Sequence, residues 1–314
     1  MRYREALGLR VSEVGFGGWV VGGDLYGVSD DVARALVKKA LDLGINLFDT
    51  ADVYGRGRSE ALLGEWLRGH DVVVSTKVGY DFYSGGRPAR RFDPPYLEMA
   101  ASRSAERLGR RPSILILHNP PAEAIGQVAG CVLSRRGVWA DYVGAALGPE
   151  VDVLDEGLAA LEAGLDALMF VFNILEQEPG LELIRRGAGR ILLARVPHAS
   201  EVLTDRFKPE FPQGDHRSLR PREWLVKARR LVKAEIAPLA KELGLALGQY
   251  AVKFVLSFPV TSVVVTATSL EELEEYASAS DGKPLPRDHL ERIGEFWARY
   301  REVLRSSPPA LARA

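Results

Sequence analysis

Four side chains with complementary acid–base chemistry stand at intervals in the first half of the chain: Asp49, Tyr54, Lys77 and His118. A phenol, with an ordinary pKa of about 10, is a poor proton donor to a developing alkoxide at neutral pH. An ammonium beside it stabilises the phenolate and lowers that pKa, and a carboxylate holds the ammonium by an ion pair. An imidazole can donate a hydrogen bond to the substrate oxygen and orient it. This is the chemistry of carbonyl reduction, and its hydride must come from a cofactor because no side chain supplies one. Singly, three of the four have plainer readings. Asp49 can begin a turn, Tyr54 can pack with its hydroxyl in water, and His118 can be a satisfied structural histidine. Lys77 resists such a reading, because an ammonium closing the run VVVSTK is partly desolvated and needs a partner.

The four groups meet only if the chain brings them to one place, and the surrounding patterns do this. The segment GINLFDTADVYGRGRSE (44–60) reads as a strand, a loop and the start of a helix, with Asp49 closing the strand. Seven further short apolar runs read as strands: 14–17, 72–75, 114–117, 142–145, 167–172, 191–194 and 262–265. Helical patterns separate them, including a run capped by Ser29 and stopped by Gly44, one starting at Pro94 or Pro95, and two over 223–243 and 247–256. Alternation of this kind predicts an α/β fold, a (β/α)8 TIM barrel formed as a single domain over residues 1–314. A hairpin at 1–12 precedes the barrel, and extra helices at 269–277 and 288–305 follow it. An open doubly wound sheet is the runner-up, disfavoured because no G-x-G-x-x-G opens a helix after the first strand. In the barrel the carboxyl ends of the strands face the active site. Asp49, Lys77 and His118 end the second, third and fourth strands, and Tyr54 lies one short loop beyond Asp49.

The run at 44–60 resembles the signature of the aldo-keto reductase superfamily, G-x-N-x-F-D-T-A-x-x-Y-G followed by S-E, and the resemblance covers nearly the whole chain. The family's tetrad falls on Asp49, Tyr54, Lys77 and His118, and HNPP at 118–121 is similar to the family's form there. The resemblance implies a nicotinamide-dependent oxidoreductase acting on an aldehyde, ketone or sugar carbonyl, with Tyr54 as proton donor. Trp19, after GFGG, takes the place of an aromatic wall beside substrate and nicotinamide. Trp19, Tyr26, Tyr54 and His118 are the implied substrate pocket. The implied cofactor contacts are Gly18, Trp19, Asp49, Asn119, Ala146, Met169, Arg195, Pro197, Thr266, Thr268 and Ser269.

Several of these positions depart from the family pattern. Ala146 and Leu147 stand where a Ser, often followed by Asn, usually touches the nicotinamide carboxamide, and Met169 replaces a Gln. Arg195 takes the place of a stacking ring, as in many relatives. The pyrophosphate loop reads PHASEVLT, with His198 and Glu201 in place of Leu and Gly. After the last strand, VTATSLEELEEY lacks the family's P-G and its following Arg or Lys, and ends in Tyr276 rather than Asn. Glu271, Glu272, Glu274 and Glu275 crowd this end with no neighbouring cation in the sequence. The family implies NADP(H); the acidic, Arg-free adenosine end points instead to NAD(H) or to weak binding, because a 2′-phosphate needs charge-assisted donors. The same glutamates also read as the solvated face of a helix. The departures motivate a second hypothesis, a barrel whose cofactor site has decayed and which serves in binding, regulation or assembly.

Bulk properties narrow the classes further. A formal net charge of −1 over 314 residues gives no footprint for nucleic acid or an anionic membrane. The single cysteine, Cys131, excludes a disulfide framework and fits a reducing, cytoplasmic compartment. The five histidines are scattered without metal-ligand spacing, so no metal is expected. Three Asn and four Gln beside many Arg and Glu hint at a thermophile. The expected partner is a small-molecule carbonyl substrate, and oligomeric state is open.

Overall fold

The computed structural model describes residues 1–22, 27–148, 153–211 and 220–305. A hairpin opens the chain: β1 (Tyr3–Ala6) and β2 (Leu9–Ser12) turn at Leu7 and Gly8, whose φ values of 55° and 81° are those of a tight two-residue turn. Strands β3 (Val14–Gly17), β4 (Leu47–Asp49) and β5 (Val73–Val78) begin the barrel. A small antiparallel hairpin, β6 (Tyr80–Asp81) with β7 (Ala89–Arg90), follows β5. The sequence pattern there predicts only loop; Asp81 organises the hairpin by accepting bonds from the backbone N–H groups of Tyr83 and Ser84. Strands β8 (Ile114–His118), β9 (Tyr142–Ala146), β10 (Ala167–Val171), β11 (Ile191–Arg195) and β12 (Ser262–Val265) complete the ring. All eight barrel strands run parallel in chain order, and β12 pairs with β3 to close it. The barrel expected from the alternating pattern is therefore the fold.

Helices pack outside. They include α1 (Asp30–Asp42), capped by the Ser29 hydroxyl, α2 (Arg58–Trp66), and α3 (Pro94–Leu108), capped by Asp93 with proline in its first turn. Then come α4 (Ala122–Ser134), α5 (Leu154–Glu162) and α6 (Gly180–Arg186). The helix expected at 223–243 is interrupted: α7 (Arg222–Leu231) passes through a π turn at Val232–Ile236 into α8 (Ala237–Glu242). Pro238 explains the interruption, since it has no N–H to donate to the turn before it. The ring ends with α9 (Leu247–Leu256), α10 (Leu270–Ala277) and α11 (Arg287–Arg305). A helix is expected from the sequence over roughly 150–163; its first residues, and Tyr26, lie outside the described residues.

Strand periodicity decides which residues reach the active end. Leu47, Val73, Ile114, Ile116, Ala167, Ile191 and Leu193 point inward and form the barrel's interior core, with Val11 of the hairpin packed among them. Their outward neighbours, such as Phe48, Val74, Leu115, Leu168 and Leu192, pack under the helices. Stepping two residues on from the inward set gives the next inward layer. Asp49 follows Leu47, Ser75 and then Lys77 follow Val73, His118 follows Ile116, and Arg195 follows Leu193. The register staggers these groups: Asp49 pairs with Ser75, Lys77 with Ile116, and His118 with Ala146. Each polar group thus rises two residues beyond its neighbour's partner, which is the shear that closing a tilted barrel requires.

Candidate active site

The upper layer opens into a cavity of about 350 Å³ to which all eight barrel strands contribute, through residues such as Gly17, Asp49, Lys77, His118, Ala146, Met169, Arg195 and Val264. Gly17 has to lack a side chain, because a Cβ there would lie 2.8 Å from Thr266 Oγ1 and 2.9 Å from Val265 O. Gly18 does not line the cavity; it packs beneath it, where a Cβ would meet Asp49 O at 2.8 Å.

Lys77 is the hub. Its Nζ donates to Asp49 Oδ2 at 2.6 Å and to Thr50 O at 2.6 Å, and reaches Tyr54 Oη at 3.5 Å. Lys77 is 2 % exposed and Asp49 5 %, so the ion pair is almost wholly removed from water. Ser75 Oγ donates to the other Asp49 oxygen at 3.0 Å. The Tyr54 ring stacks on Trp19 with centroids 5.2 Å apart and planes within 3°, and meets His118 edge-on at 6.0 Å. The four groups found in the sequence therefore converge.

Their electrostatics differ from the sequence expectation in one respect. Burial disfavours the Lys77 ammonium, but Asp49 and Tyr54 outweigh it and raise its pKa. Burial raises the Asp49 carboxyl, with Lys77 opposing. The Tyr54 phenol was expected to be lowered by the ammonium; it is raised, because burial exceeds the pull of Lys77 and Asp49 adds to the rise. Burial is the larger effect, and the opposing ammonium sits closer to Asp49 than to Tyr54. Tyr54 consequently holds its proton at neutral pH. His118 is pushed well below the ordinary imidazole range by burial and then by the charges of Lys77 and Arg195, so it is neutral. Its Nδ1 is buried without a hydrogen-bond partner among the described residues.

Residues the sequence reading treated only as a helix start hold this group in place. Ser59 Oγ donates to Gly18 O at 2.9 Å and lies 2.8 Å from Thr50 Oγ1, tying the Asp49–Thr50 bend to the turn that carries Trp19. Glu60, fully buried, accepts from Thr76 Oγ1 at 2.5 Å and Arg107 Nε at 2.6 Å, fixing α2 to β5 and α3. The signal was present in the S-E of the signature, but its partners lie far away in sequence. Tyr80, on β6, also reaches the site. Its ring meets His118 edge-on at 4.9 Å, and its hydroxyl accepts from Asn119 Nδ2 at 3.0 Å.

In the half expected to hold a cofactor, Asn119, Ala146, Met169, Arg195, Pro197 and Thr266 line the cavity, whereas Thr268 and Ser269 sit beyond it at the start of α10. Where polar side chains are lacking, backbone and Arg195 take over. Arg195 Nη2 donates to Leu147 O at 2.8 Å, and the buried Nε has no partner among the described residues. Ala199, Ser200 and Glu201 all have left-handed φ (46°, 55° and 69°), so the loop after β11 curls over the cavity instead of leaving it. One expectation needs correcting. The acidic end of the chain is not free of cations: Arg206 pairs with Glu275 at 2.8 Å, and Lys39 of α1 pairs with Glu274. Both cations are remote in sequence, which is why the local pattern concealed them. Among the described residues no group of three or more His, Cys, Asp or Glu could hold a metal ion, and no helix is long and apolar enough to cross a membrane.

A closed parallel barrel carrying a buried carboxylate–ammonium pair, a phenol and an imidazole at its carboxyl rim defines an oxidoreductase of aldo-keto reductase type. Comparison with known proteins agrees. A model of the Aldo/keto reductase family matches residues 13–298. An uncharacterized oxidoreductase of Mycobacterium bovis is 30% identical over 308 residues, covering 90% of this chain and 88% of that protein. A probable voltage-gated potassium channel subunit beta of Arabidopsis thaliana is 29% identical over 310 residues, covering 88% and 90%. The solved structure of a glycerol dehydrogenase from Gluconobacter oxydans superposes with a TM-score of 0.78 at 23% identity, over 95% of each chain. The chain belongs to the Aldo/keto reductase family.

Proposed function

We propose that this protein is a nicotinamide-dependent oxidoreductase that interconverts a small aldehyde, ketone or sugar carbonyl with its alcohol, with Tyr54 as the proton donor. The observation that carries this reading is the Lys77 ammonium, buried between the Asp49 carboxylate and the Tyr54 hydroxyl. The residues present fit the reactive half of a nicotinamide dinucleotide: an apolar floor of Ala146, Met169 and Val264 lies beside two buried polar atoms with no partner among the described residues, His118 Nδ1 and Arg195 Nε. Asp49, Asn119, Arg195, Pro197 and Thr266 would hold it. When bound, that cofactor supplies or accepts the hydride.

The chain's own residues do the remaining work. His118, held neutral, donates one ring N–H to the carbonyl oxygen and orients it towards Tyr54. Tyr54, protonated at neutral pH, hands its proton to that oxygen as negative charge builds there. Lys77 stabilises the phenolate left behind, and Asp49 and Thr50 O keep its ammonium fixed so that no reorganisation is needed in the transition state. Trp19, stacked on Tyr54, fixes the ring and shields it from water. Tyr80 and Trp19 then shape the substrate side.

The test is Tyr54→Phe. The expected outcome is turnover reduced by about 10²–10⁴-fold, the usual contribution of a positioned acid, with dinucleotide affinity unchanged in a fluorescence titration. A fully active variant would show that the proton donor is another group. Failure of the unaltered protein to bind NADH or NADPH at millimolar concentration would favour the non-catalytic alternative.

A further inference from the structure

The turn that carries Tyr54 also carries a buried carboxyl group that the reaction described above does not use. Val53 and Tyr54 line the cavity, whereas Asp52 does not. Asp52 is 0 % exposed, and neither of its carboxyl oxygens has a hydrogen-bond partner among the described residues. Its backbone N–H donates to Lys77 O at 3.0 Å, and the Tyr54 N–H donates to Ala51 O at 3.2 Å, so residues 51–54 form a tight turn pinned to the strand of Lys77. The Asp52 side chain caps no helix, since the short turn at Tyr54–Gly57 has no side-chain cap. Three charged groups act on it: Glu60 of α2, Arg107 of α3 and Lys77 of β5. Both cations are committed elsewhere. Arg107 donates to Glu60 Oε2 at 2.6 Å and to Tyr83 Oη at 2.9 Å, and Lys77 Nζ donates to Asp49 and Thr50. The phenols of Tyr83, from the β6–β7 hairpin, and Tyr96, from α3, both feel the Asp52 charge, and the buried Tyr96 hydroxyl likewise has no partner among the described residues.

We propose that Asp52 is a positioning residue for Tyr54 that works as a neutral carboxylic acid, keeping the 51–54 turn seated on β5, and that its ionisation unseats the phenol and switches the protein off reversibly towards alkaline pH. The proposal rests on the oxidoreductase reading above. An ionised carboxylate at this place lacks both water and a formed donor, and Glu60 repels it, a combination that favours the protonated form. Burial first, and then the charge of Glu60, hold the Asp52 carboxyl well above its ordinary range, against the pull of Arg107, the adjoining Val53 N–H and Lys77. With its proton in place, the acid packs as a small uncharged group. Once the proton is lost, the carboxylate is drawn towards water, and the turn it belongs to carries Tyr54 away from its 3.5 Å approach to Lys77 Nζ. Tyr54 also stops donating when it ionises itself, but that happens higher, above the ordinary phenol value of about 10.

The experiment compares the unaltered protein with Asp52→Asn, which has the shape of the protonated acid and no proton to lose. Reduction of 4-nitrobenzaldehyde and of glyceraldehyde is followed with NADH and with NADPH across the pH range. Asp52→Asn should keep kcat within about twofold at the optimum of the unaltered protein and move the alkaline fall of kcat upwards by about one pH unit or more. Two readouts do not need turnover. An infrared difference spectrum, taken below the alkaline fall, should show a protonated-carboxyl band in the unaltered protein that Asp52→Asn lacks. Because the folded chain holds this proton more firmly than the unfolded one, whose carboxyls titrate near about 4, the unaltered protein loses stability as pH rises from there to the folded value. Asp52→Asn escapes that loss and should melt at a higher temperature than the unaltered protein at pH 8. An alkaline fall at the same pH in both proteins, a kcat lowered by about tenfold or more at every pH in Asp52→Asn, absence of the band, or a lower melting temperature of Asp52→Asn at pH 8 overturns the proposal while leaving the oxidoreductase reading intact. No turnover of either aldehyde by the unaltered protein with either dinucleotide overturns both.

Discussion

Replacing Lys77 by methionine separates what the buried ammonium does for stability from what it does for chemistry. The side chain has three neighbours, Asp49 Oδ2 and Thr50 O at 2.6 Å and Tyr54 Oη at 3.5 Å, and almost no contact with water. Methionine fills a similar volume but leaves Asp49 as an uncompensated buried carboxylate, which typically costs about 3–5 kcal/mol. For a chain of this size the expected fall in melting temperature is on the order of 5–10 °C. Burial already raises the Asp49 carboxyl, and loss of the ammonium raises it further. The sign of the pH dependence follows. A carboxyl whose folded pKa lies above its unfolded value, ordinarily about 4, binds its proton more readily when folded, so the penalty grows as pH rises and shrinks towards acid. Denaturant titrations should therefore show a larger deficit at pH 8 than at pH 5. In the double variant Asp49→Asn with Lys77→Met no buried charge remains, and most of the lost stability should return. Turnover should not return, because Tyr54 still lacks the cation that stabilises its phenolate. A single variant within about 1 kcal/mol of the parent at pH 8 would refute the buried-pair argument, and a double variant regaining activity would refute the role given to Lys77.

Two further outcomes concern the frame around the site. Burial lowers the His198 pKa to about 4, with a weaker push from Arg206, against an ordinary value of about 6.5 in the unfolded chain. Between those values the unfolded chain takes up a proton that the folded one refuses, so stability falls with pH by about 3 kcal/mol over that window; His198→Leu should flatten the curve by that amount, and parallel curves would refute it. Gly144→Ala should cost about 1–3 kcal/mol in chemical denaturation, because the new Cβ would lie 2.3 Å from Ala167 O on the neighbouring strand. A neutral result there would mean that β9 and β10 can separate freely.

The barrel and the four polar groups at its rim were legible because both are written in local pattern. An apolar run that ends in Asp49, Lys77 or His118 states its period, its direction and its chemistry within a few residues. What it could not state was the balance of fields at Tyr54. The sign of that shift is set first by how deeply the phenol is buried and only then by the opposing pulls of Lys77 and Asp49, none of which is written in the residues around position 54. Likewise Ser59 and Glu60 read as an ordinary helix start, since Gly18, Thr76 and Arg107, which give them their purpose, are 41, 16 and 47 residues away.

The acidic end after β12 shows the same limit more sharply. Four glutamates in one short helix present a single sign of charge in the sequence, and the reading without any cation was wrong in detail because Arg206 and Lys39 arrive from other elements. Yet helical spacing already implied that the glutamates could not all share one fate. Positions 271 and 274 fall on one side and 272 and 275 on another, and the packing of Leu273 and Tyr276 decides which side is outward. Once Tyr276 is buried against His198, Glu272 is turned back towards the start of its own helix, where the Thr268 N–H and hydroxyl both donate to it.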